Sequence, residues 1–305
     1  MSNLASQAEQ PCDSADATCG AITMMLQPRP ADLGAFSVRR ALPTAQKKMV
    51  GPWIFFDHMG PAHFAPGDGI NVRPHPHIGI ATVTYLFEGE ILHRDSLGSV
   101  QAIRPGDINL MVAGRGIVHS ERERPEVTGH ARTLHGLQLW LALPHSHEET
   151  DPAFYHYPDS AIPSVDVEGV AVRVMIGSAY DRVSPVRTFS DTLYVEAHLE
   201  PGQSLTLPDA AERAVYVASG KLCTGGSDLP AHTMAVFADT PGITITARAP
   251  SRVAIIGGEP FDSRFIEWNF VSSRKERIDQ AKADWRTGRF PTVPGDDKEF
   301  IPLPD

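Results

Sequence analysis

No stretch of this 305-residue chain approaches the roughly 18 consecutive apolar residues that a membrane helix needs, so the sequence predicts no membrane partner. Cysteine is nearly absent. Three thiols, Cys12, Cys19 and Cys223, make an odd, scattered set, which implies no disulfide framework and suits a reducing compartment. None lies between positions 19 and 223, so a thiolate zinc centre is excluded from that interval. Basic charge is also short: 27 Lys and Arg against 37 Asp and Glu leave a net charge of −10. A nucleic-acid partner would need a basic face to displace counterions, whereas an acidic surface is compatible with a protein partner. Only Arg39, Arg40, Lys47 and Lys48 cluster, and a solvated strand edge accounts for them. The first twenty residues lack the apolar core of a secretory signal. A cytoplasmic protein is expected.

Helical periodicity is missing from Phe36 to about Leu143. Apolar or alternating runs at Trp53–Phe56, Ile78–Phe87, Ile108–Val112 and Leu137–Leu143 read as strands, separated by turn signals such as Gly67-Asp68-Gly69 and Pro105-Gly106-Asp107. Short strands at this spacing predict an all-β sandwich or barrel. After a polar connection the pattern resumes at Val170–Ile176, Leu193–Leu199, Ala214–Ala218, Met234–Phe237 and Ile243–Ala247. Glu88-Gly89 and Ser219-Gly220 echo one another, which suggests a duplicated small barrel. The expected organisation is a disordered leader (1–22), an N-terminal barrel (23–145), a linker (146–167), a C-terminal barrel (168–259) and a tail (260–305). The tail contains a helix at about 273–288, with Ser273 and Glu276 as a capping box and Ile278, Ala281 and Trp285 on one face.

Chemistry concentrates in two short motifs. In a strand, residues i and i+2 point the same way, so His75-Pro76-His77 and His119-Ser120-Glu121 each present two ligating side chains on one face. If the strands face each other, His75, His77, His119 and Glu121 converge on one metal with three nitrogens and one oxygen. Such a set suits iron, manganese, cobalt, nickel, copper or zinc, and leaves open positions for substrate. Over residues 187 to 257 the only histidines are His198 and His232, so the second barrel reads as structural. There Glu196 and His198 share a strand face and read as a polar pair turned to solvent. His58 and His135 flank the ligand strands, as outer partners of the ligands or as structural hydrogen-bonders. His63, His93 and His130 fit no pattern, and His145, His147 and His156 read as solvated linker residues.

These spacings resemble the two cupin motifs: Gly69, His75-x-His77 and Gly89 follow the first, and Pro105-Gly106 with His119 the second. Where the first motif places a glutamate this chain has Ala81 or Thr82, and Glu121 looks like the replacement. That relocation resembles the pirin family, as do residues 38–43, 49–61 (MVGPWIFFDHMGP), 73–78 (RPHPHI), 113–121 (AGRGIVHSE), 135–139 (HGLQL) and the tail from Trp268. The resemblance implies a bicupin, two β-barrels packed together, with the metal, iron(II) foremost, in the N-terminal one. Bacterial pirins resemble flavonol-cleaving (quercetin 2,3-dioxygenase-like) enzymes, and eukaryotic ones transcription cofactors. In the first reading the metal acidifies the flavonol 3-hydroxyl, Glu121 accepts its proton, and dioxygen opens the ring. Phe55, Leu86 and Leu110 are candidates for an aromatic-friendly wall, and another enol or hydroxy-aromatic is an equal candidate substrate. The rival reading is a non-enzymatic iron-dependent redox sensor that acts through a protein partner.

Overall fold

The alternating and wholly apolar runs fold as strands because each can bury one or both faces against another sheet. The computed structural model describes residues 21–32 and 36–304. Most of the expected leader, with Cys12 and Cys19, lies outside the described residues. In chain order the first strands are β1 (Ile22–Leu26), β2 (Arg29–Asp32), β3 (Ser37–Leu42), β4 (Trp53–Phe64), β5 (Val72–His77) and β6 (Ile80–Glu88). There follow β7 (Ile91–Asp95), β8 (Val100–Ile103), β9 (Ile108–Val112), β10 (Ile117–Arg122), β11 (Arg132–Ala142) and β12 (Ala153–Tyr157).

The first barrel is built from two sheets, a seven-stranded one ordered β12-β9-β6-β11-β4-β3-β2 and a four-stranded one ordered β5-β10-β7-β8. A nine-stranded sheet makes up most of the second barrel, and β1 joins it by pairing with Met234–Phe237. Strand β12, inside the stretch expected as a linker, pairs with β9 of the first barrel. The chain is therefore an all-β bicupin, two barrels laid against each other.

Strand alternation decides which residue faces what. On β4, Phe55, Asp57 and Met59 line the first barrel's interior, whereas Phe56 and His58 face the second barrel. On β6, Val83 and Tyr85 face the second barrel. One continuous apolar layer of Trp53, Phe56, Val83, Tyr85, Leu137, Tyr194, Tyr216 and Ile256 joins the barrels. Each such side chain contributes roughly 1.5–3 kcal/mol of burial. Trp53 also donates its indole N–H to the Leu193 and Gly257 carbonyls at 3.0 and 3.2 Å. The second barrel's interior is filled by apolar side chains, among them Val195, Val217, Leu222 and Ile255.

Two sequence expectations change at this level. The strand expected at Ile78–Phe87 begins only at Ile80, and His75 and His77 end a separate strand, β5, which belongs to the other sheet. The chain crosses between sheets at Gly79, whose φ of +69° and close approach to the Val271 carbonyl leave no room for a Cβ. The C-terminal helix runs Lys275–Arg286, and Ser273 and Glu276 form no capping box, because Ser273 serves a different acid. Its N–H and Oγ both bond to Glu148, a buried carboxylate that also pairs with buried Arg264 at 2.8 Å. The Glu148 cluster ties the tail to the first barrel and outcompetes the local cap. Ile278 and Ala281 pack against Ile78 and Phe270 beneath it.

Candidate metal centre

Antiparallel pairing of β5 with β10 places His75 opposite His119 and His77 opposite Ile117. A bulge between His119 and Glu121 shifts the register, so Glu121 faces Val72 on one side and His93 of β7 on the other. One ligating atom from each of His75, His77 and His119 lies within 4.8 Å of the others, in a buried group. No other such group occurs among the described residues.

The rings are held for ligation. His75 and His77 donate Nδ1–H to the carbonyls of Arg73 (2.9 Å) and Asn269 (3.1 Å), which leaves each Nε2 lone pair directed elsewhere. The His77 and His119 Nε2 atoms are 3.1 Å apart. A metal about 2.1 Å from each nitrogen, at a right angle, requires about 3.0 Å. Burial holds the pKa of His75 down at about 4, and those of His77 and His119 well below their usual range, so all three are neutral and ligand-ready at pH 7. Oε1 of Glu121 is buried without a partner among the described residues, as is Nδ1 of His119. Burial pushes the Glu121 carboxyl up to about 7, with Gln138 and Thr84 partly offsetting it. The three neutral imidazoles fit a divalent cation; Glu121, expected as the fourth ligand, lies outside the group whose ligating atoms come within 4.8 Å of one another, with its unpartnered Oε1 two residues along the same strand from His119.

The cavity above these residues has a volume of about 580 Å³ and opens to solvent, within the roughly 300–1,000 Å³ of small-molecule sites. Phe55 stacks on Trp140 at 4.0 Å and 11°, and Trp140 meets His77 edge-on at 5.0 Å. Of the wall expected from sequence, Phe55 lines the cavity, while Leu86 and Leu110 pack into the hydrophobic layers. Trp268, Asn269 and Ile301 of the tail also reach the cavity, although Asn269, for one, lies 192 residues from His77 in sequence.

Other candidates are redistributed. His58 touches neither ligand nor cavity: it bonds to Tyr216 Oη (2.9 Å) and His135 (2.8 Å) between the barrels. Glu196 is not a surface residue. It is buried beneath Tyr85, whose hydroxyl donates to it at 2.5 Å, and it pairs with Arg252 at 2.8 Å. Arg39 and Arg40 are no solvated edge: Arg39 bonds to the Gly60 carbonyl, and Arg40 pairs with Asp57 inside the cavity. His93, patternless in sequence, is buried against His119 with its ring centroid 5.4 Å away, and bonds to Asp95 at 3.0 Å. Its signal was His93-Arg94-Asp95, another i, i+2 pair on a strand.

Burial and the neighbouring His135 hold His58 neutral, with a pKa of about 2, whereas the unfolded chain protonates it near 6.5. The folded value is depressed, so stability present above pH 6.5 is lost as pH falls through that point. At pH 4.5 the loss at His58 amounts to about 2–3 kcal/mol. Urea midpoints at pH 7 and 4.5 should converge in His58→Gln relative to the unsubstituted chain.

Known proteins resemble this chain over both barrels. Residues 35–141 match the family model for pirin, and residues 194–291 match the pirin C-terminal cupin domain. The chain belongs to the pirin family. A pirin-like protein of Caulobacter vibrioides is 48% identical over 290 residues, covering 93% of this chain and all of the relative. Human pirin is 32% identical, over 83% of this chain and 87% of its own. Among solved structures, a quercetin 2,3-dioxygenase from Acinetobacter baumannii superposes with a TM-score of 0.87 at 34% identity, covering 94% of this chain and 96% of that one. The architecture and a dioxygenase-like family membership follow from these likenesses.

Proposed function

We propose that the chain is a metal-dependent dioxygenase that cleaves a flavonol, or a related enol or hydroxy-aromatic, with dioxygen. His75, His77, His119 and Glu121 would hold one divalent transition-metal ion, iron(II) foremost, with manganese, cobalt, nickel, copper and zinc compatible with the same donors. The observation that carries the reading is the buried group of three neutral imidazoles under a cavity walled by stacked aromatics, with the unpartnered Oε1 of Glu121 lining the same cavity. When bound, the metal supplies Lewis acidity that lowers the pKa of a substrate hydroxyl.

This chain's residues then do the rest. Glu121, lining the cavity on the strand that carries His119, is the carboxylate placed to take the hydroxyl proton. Phe55 and Trp140 orient the flat ring against His77 and keep water from one face of the substrate. The likeness to the quercetin 2,3-dioxygenase structure supports the substrate class.

The test loads purified protein separately with Fe(II), Mn(II), Co(II), Ni(II) and Cu(II) and mixes it with quercetin under air. Absorbance loss should track oxygen uptake one to one for at least one metal. Glu121→Gln should retain the metal yet lose about 10²–10⁴-fold in kcat, the usual worth of a placed base. Absence of turnover with every metal contradicts the reading and favours a metal-sensing protein.

A further inference from the structure

Inside the cavity, the guanidinium of Arg40 lies 4.4 Å over the Phe55 ring, on the same wall as the Phe55–Trp140 stack that ends at His77. A continuous π surface therefore runs from a cation to a candidate metal ligand. Arg40 Nε and Nη2 donate to Oδ1 and Oδ2 of Asp57 at 2.8 and 2.7 Å. The two side chains are 22% and 4% exposed, and both line the cavity.

A buried ion pair of this kind is no better for stability than a well-packed apolar pair, so its place in a ligand cavity calls for a chemical reason. A fork-to-fork pair uses one lone pair on each carboxylate oxygen and two of the guanidinium's three nitrogens. Arg40 Nη1 bonds to no described residue, and the second lone pair on each Asp57 oxygen is unspent. The pair thus presents a donor beside an acceptor.

We infer that Arg40 and Asp57 anchor the distal end of the substrate, and that the substrate is a flat aromatic with adjacent hydroxyls at that end. One hydroxyl of such a pair accepts from Arg40 while its neighbour donates to Asp57. The inference rests on the cavity being a flavonol-type site, and it narrows that class. An analogue without these hydroxyls displaces water from the pair and leaves both partners unmatched, so the site rejects it.

The experiment uses metal-loaded full-length protein and three flavonols: quercetin, with two adjacent hydroxyls on its pendant ring, kaempferol, with one, and galangin, with none. Dissociation constants come from quenching of tryptophan fluorescence without oxygen, and kcat/KM from absorbance in air. Quercetin should bind at least about tenfold more tightly than galangin, with kaempferol between. In the neutral pair Arg40→Gln with Asp57→Asn the preference should fall below about threefold, the loss falling on quercetin. Arg40→Lys, which keeps the charge but not the fork, should lie between. Equal binding of the three flavonols, or an undiminished preference in the double variant with metal retained, overturns the anchor. If the double variant does not fold, the wild-type order together with Arg40→Lys decides. Binding selectivity without turnover by any metal form would contradict the dioxygenase reading and leave the anchor standing; turnover without selectivity would do the reverse.

Discussion

Alanine at both His77 and His119 is expected to drop bound metal from one ion per chain to below about a tenth, while the fold survives. The two Nε2 atoms face each other at 3.1 Å, so they are neighbouring donors of any ion held there. With half the donors gone, His75 and Glu121 are left as an ordinary two-ligand pair. Loss of a single outer partner already weakens metal sites about 10–100-fold, and loss of two direct ligands exceeds that. The barrel does not depend on these rings for its core, which Phe55, Ile80, Met111 and Trp140 supply on one side and Val38, Ile91 and Ile103 on the other. Metal analysis after gel filtration and far-ultraviolet circular dichroism check the two halves of the claim. A further readout is thermal: added metal at 100 times its Kd should stabilise the unsubstituted chain by about 2.7 kcal/mol and the double variant not at all. Full metal retention with native stability would place the ion elsewhere.

Glu148→Ala is expected to carry the largest stability cost, on the order of 3–5 kcal/mol, because it strands a buried guanidinium. Arg264 is 1% exposed at its side chain and Glu148 4%, and the same carboxylate accepts from Ser272 and Ser273. Removing it therefore costs more than one ion pair: it unties the segment 265–273 from the first barrel. That segment carries Asn269, whose carbonyl fixes the His77 tautomer, and Trp268, which lines the cavity. The variant should therefore bind metal about 10–100-fold more weakly although Glu148 touches no ligand. Denaturant midpoints and metal titration on the folded fraction test the two effects separately. A stability loss with unchanged metal affinity would show that the tail does not orient His77.

Much of this organisation was legible in the sequence because strand periodicity is short-range. Two i, i+2 pairs, His75/His77 and His119/Glu121, sufficed to nominate four side chains, and the apolar or alternating runs Trp53–Phe56 and Ile78–Phe87 announced strands. What escaped was set by contacts distant in the chain. Nothing local marks Gly79 as the crossing between sheets, because the obstacle to a Cβ is the carbonyl of Val271. Ser273 reads as a helix cap until Glu148, 125 residues away, claims it. Glu196 and His198 share a strand with a solvent-compatible pattern, yet Tyr85 of the other barrel covers the acid and leaves the imidazole outside. Arg40 looked like part of a basic surface run, and only its register opposite Asp57 turns it inward. The tail's share of the cavity could not be read from spacing at all.

The central claim is that three imidazoles and one relocated carboxylate hold a single metal in the N-terminal barrel. Crystals of the cobalt(II)-loaded protein, measured on both sides of the cobalt absorption edge, test it directly. The account predicts one anomalous peak per chain, about 2.0–2.2 Å from Nε2 of His75, His77 and His119 and from a Glu121 oxygen. A peak that lacks Glu121 or any of the three histidines within bonding distance, or a strong peak in the second barrel instead, would contradict it.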